Sequence, residues 1–257
     1  MLEAGLDLDG ELLALACASH SGESFHLDGV RRILAAVGLT EADLRTPADY
    51  PVDEAEKLSY VAAGGTPVPV AMNCSGKHAA MLATCVVNGW PTETYPAADH
   101  PLQVMLRATV ERLAGERVVS VGVDGCGAPV FALTLTGLAR SFAAIATAPE
   151  VTPEHRVAMA VRANPTWLGG TRRDVTRLVA GVDGLIAKDG AEGVYAAAMP
   201  DGRAVALKVD DGGQRARPPV MVAALRALGV DAPVLDELAE HVLLGGGVPV
   251  GSVRCIL

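Results

Sequence analysis

"DGLIAKDGAEGVYAAAMPDGRAVALKVDDG", residues 183–212, decides the fold class. It holds three short apolar runs, broken at Asp189-Gly190, Asp201-Gly202 and Asp211-Gly212. Each run is too short for a helix, and each break is a turn signal, so the stretch reads as an antiparallel three-strand meander. Upstream the apolar period changes to that of a helix. "HLDGVRRILAAVGL" (26–39) sets Leu27, Val30, Ile33, Leu34 and Val37 on one face and closes at Gly38. Thr40 and Asp43 then resemble a capping box. "SGKHAAMLATCVVNG" (75–89) and "HPLQVMLRATVERLAG" (100–115) each end in glycine, the second with Pro101 in its first turn. Residues 154–165, 170–181, 216–229 and 234–243 are further helix candidates, and residues 60–70 read as loop. "ELLALAC" (11–17) is too short to type. Helices first and adjacent strands later predict an α+β chain, with no internal repeat and no low-complexity linker.

Composition narrows the function classes. The formal net charge of −9 argues against nucleic acid as the main partner, because phosphate binding needs clustered Lys and Arg. With only three Phe, four Tyr and two Trp, stacking platforms for single strands are scarce. No apolar run approaches the roughly 18 residues of a membrane span. The start, "MLEAGLDLDG", lacks a basic-then-apolar leader. Five cysteines, an odd number in a long chain, predict free thiols and a reducing, cytoplasmic setting.

Four stretches could carry chemistry. In "AMNCSGKHAAML" (71–82), a helix starting near Cys74 puts Cys74, Lys77 and His78 at i, i+3 and i+4. A thiol at a helix N-terminus beside a cation is expected to ionise more readily. The same spacing also fits a buried apolar cysteine with a surface lysine. In "VGVDGCGAPV" (121–130), a strand-like run leads into Asp124-Gly125-Cys126, which would put a carboxylate and a thiol on the same side of an extended strand. A plain Gly-Pro turn reads equally well there. Cys74, Asp124 and Cys126 together would suit zinc, with His78 as a spare nitrogen, although no paired-cysteine or paired-histidine clamp supports it. "CASHSGE" (17–23) offers Ser19, His20, Ser21 and Glu23, or simply a helix cap. Lys188, at the end of the first meander strand, could hold a carboxylate, and Glu192 just beyond could serve an amine; a solvated lysine is the plain alternative.

"CASHSGE", "MNCSGKHAAML", "DGCGAP", the Asn-Pro and Gly-Gly pairs between Asn164 and Gly170, and "KDGAEGV" occur here in one order. In that order, over nearly the whole chain, they resemble the bacterial L-asparaginase II family of the Rhizobium type. The resemblance implies one domain over residues 1–257 and hydrolysis of L-asparagine to aspartate and ammonia. It implies a fold like that of penicillin-binding proteins and serine β-lactamases, a helical cluster packed on an antiparallel sheet. Lys188-Asp189-Gly190 is similar to the Lys-Thr-Gly strand motif of that superfamily. By matching motifs, Ser19, Cys74, Lys77 and Lys188 are the expected catalytic residues, Asp124, Cys126 and Glu192 the substrate-binding ones, and Cys74, Asp124 and Cys126 the zinc ligands.

The resemblance also implies an attacking serine and its lysine base in an "RSxxKPxQ" stretch, upstream of the region matching "GLDLDGELLALACASHSGE". The expectation is a chain that lacks this motif and the first strands, as an N-terminal truncation would leave it, with impaired activity. Two other readings follow. A Cys74-x-x-Lys77 pair could itself attack the amide. Alternatively the chain is a non-catalytic metal- or amino-acid-binding remnant, whose bare sheet edge assembles with a second copy as a homodimer.

Overall fold

A computed structural model describes residues 1–256. The untyped run near the N-terminus is a helix, α1 (Gly10–Ala16), with Leu13 to Ala16 buried. α2 (Ser24–Ala35) buries Leu27, Val30, Ile33 and Leu34, the face expected from its period. The Thr40–Asp43 capping box forms on a single 3-10 turn, with Thr40 N donating to Asp43 Oδ2 over 2.8 Å. α3 (Glu54–Ala62) overruns the stretch read as loop; Asp53 caps its start, and Gly64-Gly65 end it rather than prevent it. α4 (Ser75–Asn88) and α5 (Pro101–Ala114) stop at Gly89 and Gly115, both at φ 65°.

A small hairpin follows, β1 (Val121–Val123) and β2 (Pro129–Phe131). Then come α6 (Leu135–Ala146), α7 (Pro153–Ala163), the short α8 (Pro165–Leu168) and α9 (Asp174–Gly181). The meander is β3 (Ile186–Asp189), β4 (Val194–Ala198) and β5 (Ala204–Lys208), antiparallel throughout, with Lys188 opposite Ala196 and Val194 opposite Lys208. α6 packs along β4 and β5, α9 along β3, and α10 (Arg217–Ala227) also touches β4 and β5. Helices therefore cover a sheet whose Ile186, Ala187, Tyr195 and Ala197 are all buried.

The expected helix over 234–243 is corrected. α11 (Pro233–Leu238) stops early, and β6 (Glu240–Gly245) pairs with β7 (Val248–Arg254) in a separate hairpin. Gly246 and Gly247, at φ 59° and 84°, make the reversal that the apolar run through Leu244 conceals.

The buried side chains form two cores. One gathers around α1, α2 and α4; the other gathers around the meander with α7, α9, α10 and α11. Cys17, where α1 ends, packs on the second core although α1 belongs to the first. The loop that follows it, residues 17–23, thus runs along the seam between them. Among the described residues no helix is long and apolar enough to cross a membrane.

Candidate functional site

The seam loop is clasped to the start of α4 by one histidine. His20 N donates to Asn73 O at 2.9 Å, and its Nε2 lies 2.8 Å from Ser75 Oγ. Asn73 and Ser75 flank Cys74, so this clasp fixes Ser19 beside the Cys74–Lys77 turn. Ser75 Oγ spends its own proton on Val70 O at 2.8 Å. The proton between the two side chains is therefore assigned to His20 Nε2. Burial, then repulsion from His26 and Arg173, pushes His20 down to about 3, so the ring is neutral near pH 7.

Beyond Ser19 lies a buried ion cluster. The Ser19 carbonyl accepts from Arg173 Nη1 at 3.5 Å, and Arg173 also pairs with Asp189. Lys188 Nζ lies 3.0 Å from Asp189 Oδ1, and Arg217 Nη1 lies 3.2 Å from Oδ2. Arg217 also holds Asp174 at 3.0 Å. Burial would raise the Asp189 carboxyl, yet Lys188, Arg173 and Arg217 together hold it well below the usual carboxylate range. Three cations face two carboxylates. Arg173 and Lys188 are 23% and 21% exposed against 6% for Arg217, so the accessible edge is the positive one.

The loop's remaining polar groups position backbone. Ser21 Oγ donates to Gly169 O at 2.8 Å, and the Glu23 carboxylate accepts from Thr171 N and Oγ1 at 2.8 and 2.9 Å. Gly170, at φ 127°, has to be glycine here: a Cβ would stand 2.1 Å from Ser21 Oγ.

On the other side of the clasp, Lys77 Nζ lies 3.3 Å from Cys126 Sγ and 3.9 Å from Asp124 Oδ2. The two side chains of the Asp-x-Cys pair do share a side, with Sγ 3.6 Å from Oδ2. Of the two readings of this stretch, the turn is the one observed. Residues 124–128 are the turn of the β1–β2 hairpin, closed by Gly127 N on Asp124 O at 2.9 Å. The expected thiolate at Cys74 is corrected. Cys74 stands at the N-cap position of α4 with no side-chain bond to the helix, and the Cys126 thiol together with burial pushes it far above the normal thiol range. The Cys126 thiol is pushed down instead, by Cys74 foremost and then His78 and Lys77, against the cost of burial. His78 Nδ1 is itself set by Tyr95 Oη at 2.6 Å, which accepts from Arg45 N at 3.1 Å.

Zinc is expected on Cys74, Asp124 and Cys126, and Lys77 stands among these donors. Among the described residues no three of His, Cys, Asp and Glu are disposed to hold a metal ion. The Lys77 ammonium is 3.3 Å from Cys126 Sγ and 3.9 Å from Asp124 Oδ2, and a divalent ion there would have to displace or deprotonate it. Glu192 lies apart, exposed on the β3–β4 turn at φ 55°, its carboxylate over Gly212.

The structure thus brings Ser19 near Lys188 through Arg173 and Asp189, and Cys74 near Lys77, Asp124 and Cys126. His20, Arg173 and Arg217 are the polar groups the motifs did not single out for roles. The sequence signal was thin, a histidine inside "CASHSGE" and "RRD" ahead of α9.

The family model described as L-asparaginase II matches residues 1–255. A search of curated proteins found no match to the chain.

Proposed function

From its membership of the L-asparaginase II family, we propose that this chain hydrolyses the side-chain amide of L-asparagine to L-aspartate and ammonia, working at the seam between its two cores. The observation that carries the placement is the His20 clasp, which sets the Ser19 loop between a positive edge and the Cys74–Lys77 turn. An amino-acid substrate brings a carboxylate, and Arg173 with Lys188 offers accessible cations in a chain whose net charge is −9. Ser19, whose carbonyl is held by Arg173, relays protons at the reacting end. Cys74, Lys77, Asp124 and Cys126 shape and charge the wall beyond the clasp. The serine–lysine pair that the resemblance implies for attack is not among these residues. What they supply is binding, orientation and proton relay.

The same reading takes the helices on the β3–β4–β5 sheet as the penicillin-binding-protein and serine β-lactamase arrangement. The five free thiols support a cytoplasmic setting, and the open β6–β7 hairpin supports pairing with a second copy.

Two measurements test the function on purified protein. Ammonia release from L-asparagine is expected, with a loss of at least roughly a hundredfold in Lys188→Met or Ser19→Ala. Calorimetric binding of L-aspartate is expected to weaken in Arg173→Met. Folded protein that neither releases ammonia nor binds either amino acid overturns the reading.

A further inference from the structure

Arg217 is the sealed member of the ion cluster, and the reaction proposed above gives it no task. We propose that Arg217 is a positioning residue for the substrate carboxylate. From the buried side it offsets the charge of Asp189, and so keeps the accessible edge of Arg173 and Lys188 positive. The inference rests on the reading of that edge as the seat of the substrate carboxylate.

Asp189 and Tyr195 stand directly opposite in the β3–β4 register, which puts both side chains on one face of the sheet. Arg217, the first residue of α10, lies across them. Its Nη1 is 3.2 Å from Asp189 Oδ2, and its guanidinium carbon is 5.1 Å from the centre of the Tyr195 ring. Nη1 also donates to Gly190 O at 3.3 Å, and Nη2 donates to Asp174 Oδ1 at 3.0 Å. With its side chain 6% exposed, Arg217 is out of reach of a substrate.

That placement works against stability on two counts. A guanidinium taken out of water carries a desolvation cost that its ion pairs barely offset, and an apolar side chain of like volume often serves a fold as well. A cation in the first turn of a helix also meets the positive end of the backbone dipole. Arg217 Nε and Asp174 Oδ2 are, moreover, buried without a hydrogen-bond partner among the described residues. Packing alone does not account for a charge at this position.

The charge balance does. Lys188, Arg173 and Arg217 face Asp189 and Asp174, a surplus of one cation. Lys188 takes Asp189 Oδ1, while Arg173 and Arg217 share Oδ2. Without Arg217, the two carboxylates would match Arg173 and Lys188 one for one, and an incoming carboxylate would meet a neutral edge. Arg217 thus acts through Asp189 and touches nothing that reacts. One charge at this range is worth roughly tenfold in affinity for an anion.

The test measures L-aspartate binding by calorimetry and L-asparagine turnover by ammonia release, on the full-length chain. Arg217→Met should weaken L-aspartate roughly tenfold and raise KM for L-asparagine by a similar factor, with a smaller change in kcat. Arg217→Lys keeps the charge and should stay within about threefold of the wild type. The double variant Arg217→Met, Asp174→Asn removes one charge of each sign, restores the surplus and should recover most of the affinity. A role confined to packing would leave the double variant no better than Arg217→Met. Kd and KM report the folded molecules, and circular dichroism gives their share. Where Arg217→Met does not fold, Asp174→Asn decides: its larger surplus should tighten L-aspartate, and an unchanged or weaker Kd overturns the proposal. A wild-type Kd in folded Arg217→Met, or a double variant that recovers nothing, overturns it too and leaves the carboxylate seat standing. L-Aspartate bound in the expected order of variants, with no ammonia released, upholds the proposal and strikes the hydrolysis instead. Folded wild-type protein that binds no L-aspartate overturns both.

Discussion

His20 Nε2 gives its proton to Ser75 Oγ across 55 residues of chain, and Ser75 passes its own to Val70 O. Both side chains are wholly buried. Ser75→Ala would leave an imidazole N–H and a carbonyl without partners. The expected cost is about 2–3 kcal/mol, read from urea unfolding, with a larger loss in substrate binding than a surface Ser→Ala change. An unchanged midpoint would show that the clasp contributes nothing.

Two stacked imidazoles make stability depend on pH. His20 and His26 lie 5.1 Å apart, and burial foremost pushes them down to about 3 and about 4. The folded state refuses protons that the unfolded chain accepts below its ordinary pKa of about 6.5. Stability is therefore full above that value and falls as the pH drops toward 4, by roughly 2 kcal/mol per histidine at pH 5. Urea midpoints between those limits should show the slope, and His26→Gln should halve it.

Asp189 neutralises three cations from a nearly sealed position. Asp189→Asn should destabilise by about 3–5 kcal/mol, because Arg173, Arg217 and Lys188 would then repel one another in low dielectric. Asp236→Asn, which breaks an exposed pair with Arg226, should cost under about 1 kcal/mol. Thermal melts of the two variants side by side check the contrast.

Lys77 is one of the groups that lower the Cys126 thiol, after Cys74 and His78. In Lys77→Met the Cys126 thiol should rise toward its ordinary range, and alkylation near neutral pH should slow by roughly tenfold. Thiolate absorbance in the ultraviolet, followed from acid to neutral pH, should shift in the same direction. A rate unaffected by the substitution would assign the lowering to Cys74 and His78 alone.

Much of this architecture could be read from local chemistry. The meander is visible because each turn carries its own Asp-Gly, and α4 and α5 because glycine stops them. The β6–β7 hairpin was hidden: Val242, Leu243 and Leu244 continue an apolar run that suits a helix just as well, and only the glycine triplet disagrees. α6 went unseen although Thr134 caps it. The site was legible in its motifs but not in its charges. Lys77 lies three residues from Cys74, so sequence alone favours Cys74 as the anion. Cys126, on a turn that only the folded chain brings near Lys77, is the thiol that is lowered instead. Likewise no local pattern announces that Arg173 will bridge Ser19 and Asp189.

The last hairpin has a practical consequence for anyone purifying the protein. Val242, Leu244, Val248 and Val250 are exposed on a two-stranded ribbon that pairs with no further strand among the described residues. Such a ribbon behaves as an adhesive in concentrated stocks, and salting will make it worse. Turbidity should climb with protein concentration, and Val250→Lys should keep the stock clear.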